Sequence, residues 1–180
     1  TPAVTGTITQ NATGGIVDLT VPFGTPLSSL IGVFTLSDSA KAYVSLVRQT
    51  SGITANNFTG FITYKIVAQD TNFSKSYLIN VVFGKSKSCD IISYAIQTPA
   101  INGLITPTGN TGGTIAISVP YGTNINNLVA VFTLSDSAKA FIGTVKQTSG
   151  VNSNNYVTTL SYKIIAQDTN YSKIYLVSVT

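Results

Sequence analysis

The decapeptide VFTLSDSAKA occurs twice in the chain, at Val33–Ala42 and at Val131–Ala140, 98 positions apart. Extending the register outward shows that far more than ten residues is repeated. At this offset Val33–Val82 lies on Val131–Thr180 without a gap, with about 30 of 50 residues identical. Most remaining differences are conservative, such as Tyr43 to Phe141, Arg48 to Lys146 and Phe73 to Tyr171. Upstream, TVPFGT (Thr20–Thr25) lies on SVPYGT (Ser118–Thr123), and with one residue inserted TPAVTGTIT at Thr1 lies on TPAINGLIT at Thr98. The repeat is about 90 residues long, the size of a small autonomous domain rather than of a solenoid unit.

Within each copy the apolar residues recur at every second position. Val17, Leu19 and Val21 share one face of a predicted strand, as Ile115, Ile117 and Val119 do in the second copy. Phe34 and Leu36 lead into the Ser-Asp-Ser turn, and Ala40, Ala42 and Val44 leave it. Ile62, Tyr64, Ile66 and Ala68 share a face, as do Tyr77, Ile79 and Val81; Ile92, Tyr94 and Ile96 form a further alternating set. Such runs, broken by Gly, Asn, Pro, Asp and Ser clusters, specify half-buried antiparallel strands. No stretch sustains a helical period. About six or seven short strands per copy predict an all-β sandwich rather than a barrel.

The copies differ at their starts. Asp90–Gln97 (DIISYAIQ) leads directly into the second TPA, whereas the first copy opens on its TPA at Thr1. The first copy therefore lacks its first strand within this chain, and an unpaired sheet edge beside an apolar groove is expected. Two explanations stay open. Either the chain is a piece of a longer array, which a start at Thr1 rather than Met also suggests, or a neighbouring subunit donates the strand and builds a head-to-tail polymer. The predicted boundaries are 1–84 for the first domain, 85–90 for a linker and 91–180 for the second.

The composition excludes several function classes. There is no His, Glu, Met or Trp, so a Ser-His-Asp arrangement is impossible. Ser39 with Lys41, and Ser137 with Lys139, stand two apart on a strand and do not face each other as a Ser-Lys dyad would. The six Asp are scattered, and no Gly-rich loop leads from a strand into a helix. No catalytic residue and no cofactor is expected. DTNFS (Asp70–Ser74) and DTNYS (Asp168–Ser172) space oxygen donors like the opening of a calcium loop. They lack its Gly and its bidentate Glu, and a Lys follows each, so a polar hairpin is predicted and no metal site. Cys89 is alone, so no intramolecular disulfide forms. The net charge of +4 is spread out, with Lys85 and Lys87 the only local cluster, which argues against nucleic acid. The apolar runs are too short for membrane insertion.

The motifs TLSDSAKAYV (Thr35–Val44), QTSG (Gln49–Gly52), NNF (Asn56–Phe58), TYKIVAQD (Thr63–Asp70) and YLINV (Tyr77–Val81) each have a counterpart in the second copy. In their order and spacing they resemble the immunoglobulin-like repeats of secreted and surface proteins of Bacteroidetes-type bacteria. The resemblance covers nearly the whole chain, twice. It implies two tandem immunoglobulin-like antiparallel β-sandwiches, export, and an extracellular or cell-surface location. AQDTN stands where relatives often carry a Gly after the Asp, which predicts a longer last hairpin.

The same resemblance bears on the candidate sites. Asp38-Ser39-Ala40 and Asp136-Ser137-Ala138 have the form of an O-glycosylation sequon of this bacterial group, making Ser39 and Ser137 candidate attachment points. The other reading is a tight turn whose Asp and Ser side chains bond nearby backbone N–H groups. The Asn-linked sequons at Asn11, Asn57, Asn72 and Asn170 are not expected to be used. Tyr43 and Phe141 are expected to point outward as exposed aromatic contacts. With Phe58, Tyr156, Phe73 and Tyr171 they form either a platform for a sugar or a subunit, or caps on the sandwich ends. The expected role is a non-catalytic structural or adhesive module of a surface protein or filament, joined to copies of itself or to neighbouring repeats through a sheet edge. The alternative is a carbohydrate-binding or spacer domain of a polysaccharide-capture protein, with surface glycans as partners.

Overall fold

A computed structural model describes residues 3–180. The chain divides into two compact units, Thr1–Gly84 and Lys85–Thr180. The first contains β1 (Thr7–Asn11), β2 (Gly14–Val21), β3 (Leu30–Ile31), β4 (Lys41–Val44), β5 (Val47–Gln49), β6 (Ala55–Asn56), β7 (Ile62–Val67) and β8 (Ser74–Phe83). The second contains β9 (Ile91–Ile96), β10 (Ile101–Asn102), β11 (Leu104–Pro107), β12 (Gly112–Ile117), β13 (Leu128–Leu134), β14 (Lys139–Ile142), β15 (Val145–Gln147), β16 (Ser153–Asn154), β17 (Leu160–Ile165) and β18 (Ser172–Val179). The one helical element among the described residues is a 3-10 turn at Ile125–Asn127.

The two units are tandem β-sandwiches. Each has a six-stranded sheet of the same order, β1-β2-β8-β7-β4-β5 in the first and β11-β12-β18-β17-β14-β15 in the second. Facing it is a four-stranded sheet β10-β9-β13-β16 in the second unit, reduced to the pair β3-β6 in the first. Pairing is antiparallel except between β2 and β8 and between β12 and β18, which run parallel. The alternation that predicts the strands also sets their faces. Ile115 and Ile117 are buried while Thr114 and Ala116 are exposed, and Val21, Ala42 and Tyr64 are buried in the first unit.

One face assignment changes. Ile91, not Ile92, joins Tyr94 and Ile96 in the core, and Ile92 is 63% exposed. The register against β13 shifts between Thr133 and Leu134, so an extra residue enters β9 and strict alternation fails there.

Among the described residues no strand takes the place of β9 in the first unit. β13 spans seven residues because β9 pairs along its Ala130–Leu134 portion. The equivalent segment of the first unit is strand only at Leu30–Ile31, so Phe34 and Leu36 lie outside any strand. The second core has 17 buried residues and the first only three, Ala42, Phe58 and Tyr64. Sequence identity in the remaining strands does not compensate, because burial needs both layers.

Tyr94 is the pivot of the larger core. Its ring stacks on Phe132 with centroids 6.0 Å apart and meets Tyr162 edge-on at 5.5 Å. Its hydroxyl bonds that of Tyr156 at 2.8 Å, and Tyr156 in turn bonds Tyr162 at 3.0 Å. Burial, reinforced by the neighbouring tyrosines, pushes the Tyr94 and Tyr162 phenols far above their ordinary value. Burial also raises Tyr64, opposed by a hydrogen bond from Asn56. A phenol raised on folding contributes full stability below its unfolded pKa near 10, and that contribution is lost as pH climbs above it. Above pH 10 the second unit should therefore lose about 1.4 kcal/mol per pH unit for each of Tyr94 and Tyr162. Alkaline titration followed by tyrosinate absorbance should show these two ionising only as the unit unfolds. Ionisation of all nine tyrosines before the loss of β structure would contradict this.

Candidate functional site

The outer face of the six-stranded sheet carries the same row in both units. Tyr43 on β4 lies directly opposite Arg48 on β5 and Lys65 on β7. Phe141 on β14 lies opposite Lys146 on β15 and Lys163 on β17. Directly opposed side chains on a sheet are close neighbours, so each half-buried ring sits between two exposed cations. Lys41 and Lys139 stand two residues earlier on the same face as the ring. Six of the ten cations of the chain thus surround two aromatic rings. None of the six strands of the second unit's large sheet contains an acidic residue, and in the first unit only Asp18 does.

Phe141 also lines a shallow depression of about 400 Å³ with Ser137, Lys139, Ile165, Ala166, Gln167 and Thr169. The depression brings together two residues that the sequence singles out separately, Ser137 and Phe141. The other aromatic candidates disperse. Phe58 and Tyr156 are buried in the cores, so they cannot form a platform; Phe73 and Tyr171 are exposed on the final hairpins.

Ser39 and Ser137 both sit at φ 58° at the exposed tips of turns. Those turns close through backbone bonds, Ala40 N to Ser37 O at 3.1 Å and Ala138 N to Ser135 O at 3.0 Å, rather than through Asp side chains. The hydroxyls of Ser39 and Ser137 make no hydrogen bond among the described residues and face solvent. The Asp70 and Asp168 carboxylates accept from the backbone N–H of Asn72 and Asn170, at 3.1 and 3.4 Å. Each carboxylate is therefore engaged by its own hairpin turn.

The sequence of the chain matches the protein-family model "SGBP, N-terminal" twice, over residues 1–81 and 91–179. The chain belongs to the SGBP N-terminal family. Each SGBP N-terminal match corresponds to one copy of the internal repeat. A solved structure of a candidate secreted protein from Bacteroides fragilis NCTC 9343 aligns at 16% identity over 52% of this chain and 95% of that one, with a TM-score of 0.38. A search of curated proteins returned no match.

Both SGBP N-terminal copies share a buried polar network that sequence reasoning overlooks. Gln49 and Gln147 are buried. In the first copy Gln49 Nε2 donates to Val47 O at 3.0 Å, and Asn56 Nδ2 donates to Gln49 Oε1 at 2.7 Å and to the Tyr64 hydroxyl at 3.0 Å. The second copy repeats this with Gln147, Asn154 and Tyr162 at 3.3, 2.9 and 3.5 Å. The network ties the strand carrying Arg48 or Lys146 to the core, and so fixes one cation beside each ring. The available signal was the joint persistence of Gln, Asn and Tyr at matched positions.

Residues 85–90, predicted as a linker, bond within the second SGBP N-terminal unit. Ser86 N donates to Gln167 Oε1 at 2.9 Å, Asp168 N donates to Ser86 O at 2.8 Å, and Asp90 pairs with Lys173. Cys89 is buried beside them, and burial pushes its thiol pKa up, away from thiolate reactivity.

Proposed function

We propose that this chain is a non-catalytic module of a bacterial surface glycan-binding protein, displayed outside the cell. Its two sandwiches space and present a glycan-facing surface. The observation that carries this reading is the double family match over 1–81 and 91–179. It favours polysaccharide capture over the adhesive or filament role. Self-polymerisation has a further difficulty: among the described residues β9 is the one strand of its kind, and it is already paired with β13. Donating it would leave the second unit as open as the first.

The matched rows of Tyr43 with Arg48 and Lys65, and of Phe141 with Lys146 and Lys163, support an anionic saccharide as the class bound. A ring offers a stacking face for a sugar, and flanking cations suit uronate or sulfate groups. Affinity electrophoresis of the chain through gels containing acidic or neutral polysaccharide should show retardation by the acidic one, weakened by salt. Combining Tyr43→Ala with Phe141→Ala should reduce that retardation about tenfold, the loss of roughly 1.4 kcal/mol, with the circular dichroism unchanged. Retardation by neutral polysaccharide alone, or none by any, would sink the assignment.

Ser39 and Ser137 are the proposed O-glycan attachment points, at matched solvent-facing turns. Intact-mass and peptide analysis of natively exported protein should find a saccharide on both serines. Unmodified peptides at both would remove the assignment.

A further inference from the structure

A depression on the second unit brings together three segments that lie far apart in the chain. The segment leading into β9 contributes Lys87, Ser88 and Asp90, and the β11–β12 turn contributes Asn110. The β17–β18 hairpin contributes Tyr171, Ser172 and Lys173. The depression measures about 450 Å³, within the range of roughly 300–1,000 Å³ for small-ligand sites. Each wall is pinned. Asp90 N donates to Ser135 Oγ at 2.9 Å, and Asp168 N donates to Ser86 O at 2.8 Å. Ile174 N donates to Thr111 O at 2.9 Å, which ties the Asn110 turn to the hairpin strand. Lys87 Nζ stands 5.1 Å from the centroid of the Tyr171 ring, bracing one wall against another. Groups held in place this way need little ordering when a ligand arrives.

The polar groups of the depression have bonding capacity left over. Lys173 and the Tyr175 hydroxyl both donate to the same Asp90 oxygen, Oδ1. Oδ2 accepts no hydrogen bond among the described residues, and the Asp90 side chain is 43% exposed. The side chains of Ser88, Asn110, Tyr171 and Ser172 are exposed and make no hydrogen bond among the described residues either. The two copies of the repeat also diverge here. Ala12-Thr13-Gly14 of the first unit reads Asn110-Thr111-Gly112 in the second, and Phe73 reads Tyr171. Both changes add a hydrogen-bonding group, and both fall on this one depression.

The charges narrow what can enter. An anion meets the Asp90 carboxylate, and a cation meets Lys87 and Lys173. A neutral molecule with several hydroxyls is repelled by neither. A hydroxyl both donates and accepts, so one can donate to Asp90 Oδ2 while its neighbour accepts from Asn110 Nδ2 or Lys173 Nζ. Bonds to the charged partners are the stronger ones, and the Tyr171 ring offers apolar area to the C–H face of a sugar. We propose that this depression binds one neutral saccharide residue through a pair of adjacent hydroxyls. Asp90 Oδ2 is the acceptor, Asn110 and Lys173 are the donors, and Tyr171 is the apolar wall. The site shares no residue with the Tyr43 and Phe141 rows, and the inference does not rest on the anionic-saccharide reading of those rows.

The test titrates the full 180-residue chain with methyl glucoside, methyl galactoside and methyl mannoside, followed by backbone amide NMR. At least one glycoside should shift the Ser88, Asp90, Asn110 and Ser172 amides saturably, with a Kd of about 1–30 mM. Ser74 and Lys75, the matching residues of the first unit, should not respond. Asn110→Ala and Tyr171→Ala, both at exposed positions, should each weaken binding about fivefold with the melting temperature unchanged. Sodium glucuronate and trimethylene glycol, whose two hydroxyls are not adjacent, should not saturate these amides. The absence of a saturable shift with any of the three glycosides at about 100 mM overturns the site. Unchanged affinity in both variants overturns it as well. Glucuronate binding as tightly as the neutral glycosides overturns the neutral class, and saturation by trimethylene glycol overturns the hydroxyl pair.

Discussion

Gly112→Ala should unfold the second unit, or lower its melting temperature by tens of degrees. Gly112 opens β12 at φ 134°, a backbone region that L side chains rarely adopt. A Cβ there would lie 1.7 Å from the carbonyl oxygen of Ile174, the residue directly beside it on β18. The obstacle is backbone, so no rotamer change relieves it. The parallel pair β12–β18 must separate at its start, and Ile115, Ile117 and Val177 lose their alignment in the core. Left-handed strain of about 1–3 kcal/mol plus the lost pairing gives a destabilisation of about 4 kcal/mol or more. Against a total of about 5–15 kcal/mol for a domain, that is decisive. Gly14→Ala should do the same to the first unit, where the clash is with Ser76 O at 1.7 Å. Calorimetry of the full chain reads both units at once. A shift below about 5 °C in the second transition would mean that the strands part without penalty.

Tyr94→Ala should destabilise the second unit by about 3–5 kcal/mol, the range for emptying an aromatic-sized core site. The variant loses the stack on Phe132, the edge contact with Tyr162 and the bond to Tyr156. Tyr94→Phe separates these effects. It keeps the ring and removes one buried hydroxyl from a chain of three, for about 1–2 kcal/mol. In urea, the second unit of Tyr94→Ala should come to resemble the first, which has no ring at this place. Retention of a clearly higher midpoint would assign the difference between the units to something other than the Tyr94 ring.

Most of the fold is legible because period-two alternation and duplication are local facts. Ala42, Tyr64, Ile115 and Ile117 fall on their predicted faces, and the 98-residue offset identifies the repeat without any knowledge of the sheets. What is not legible depends on pairing. Ile91 and Ile92 are chemically the same, and only the shifted register against Thr133 and Leu134 decides which one is buried. Phe34 and Phe132 lie in the same decapeptide, yet only Phe132 lies in a full strand, because strand formation needs a neighbour that Phe34 does not have among the described residues. The candidate surface was half visible. Tyr43 and Phe141 could be picked from the alternation, but their cross-strand cations stand at Arg48 and Lys65, and at Lys146 and Lys163, and meet them only through register. Gln49 and Gln147 look like surface residues by type, and become core residues because an Asn side-chain amide and the carbonyl of Val47 or Val145 satisfy them.

The parallel pairing of β2 with β8, and of β12 with β18, has a mechanical consequence. In each unit the large-sheet edge strand next to it, β1 or β11, is a hairpin partner that runs back along β2 or β12. Tension entering at the start of the unit and leaving at its end peels that outer strand bond by bond, in the second unit after β9 has parted from β13. It then reaches a parallel pair gripped from opposite ends, whose eight or six registered residues are loaded together rather than in turn. The unit yields a little slack first and then resists, with the clamp seated on the glycine that admits β8 or β18 at closest approach.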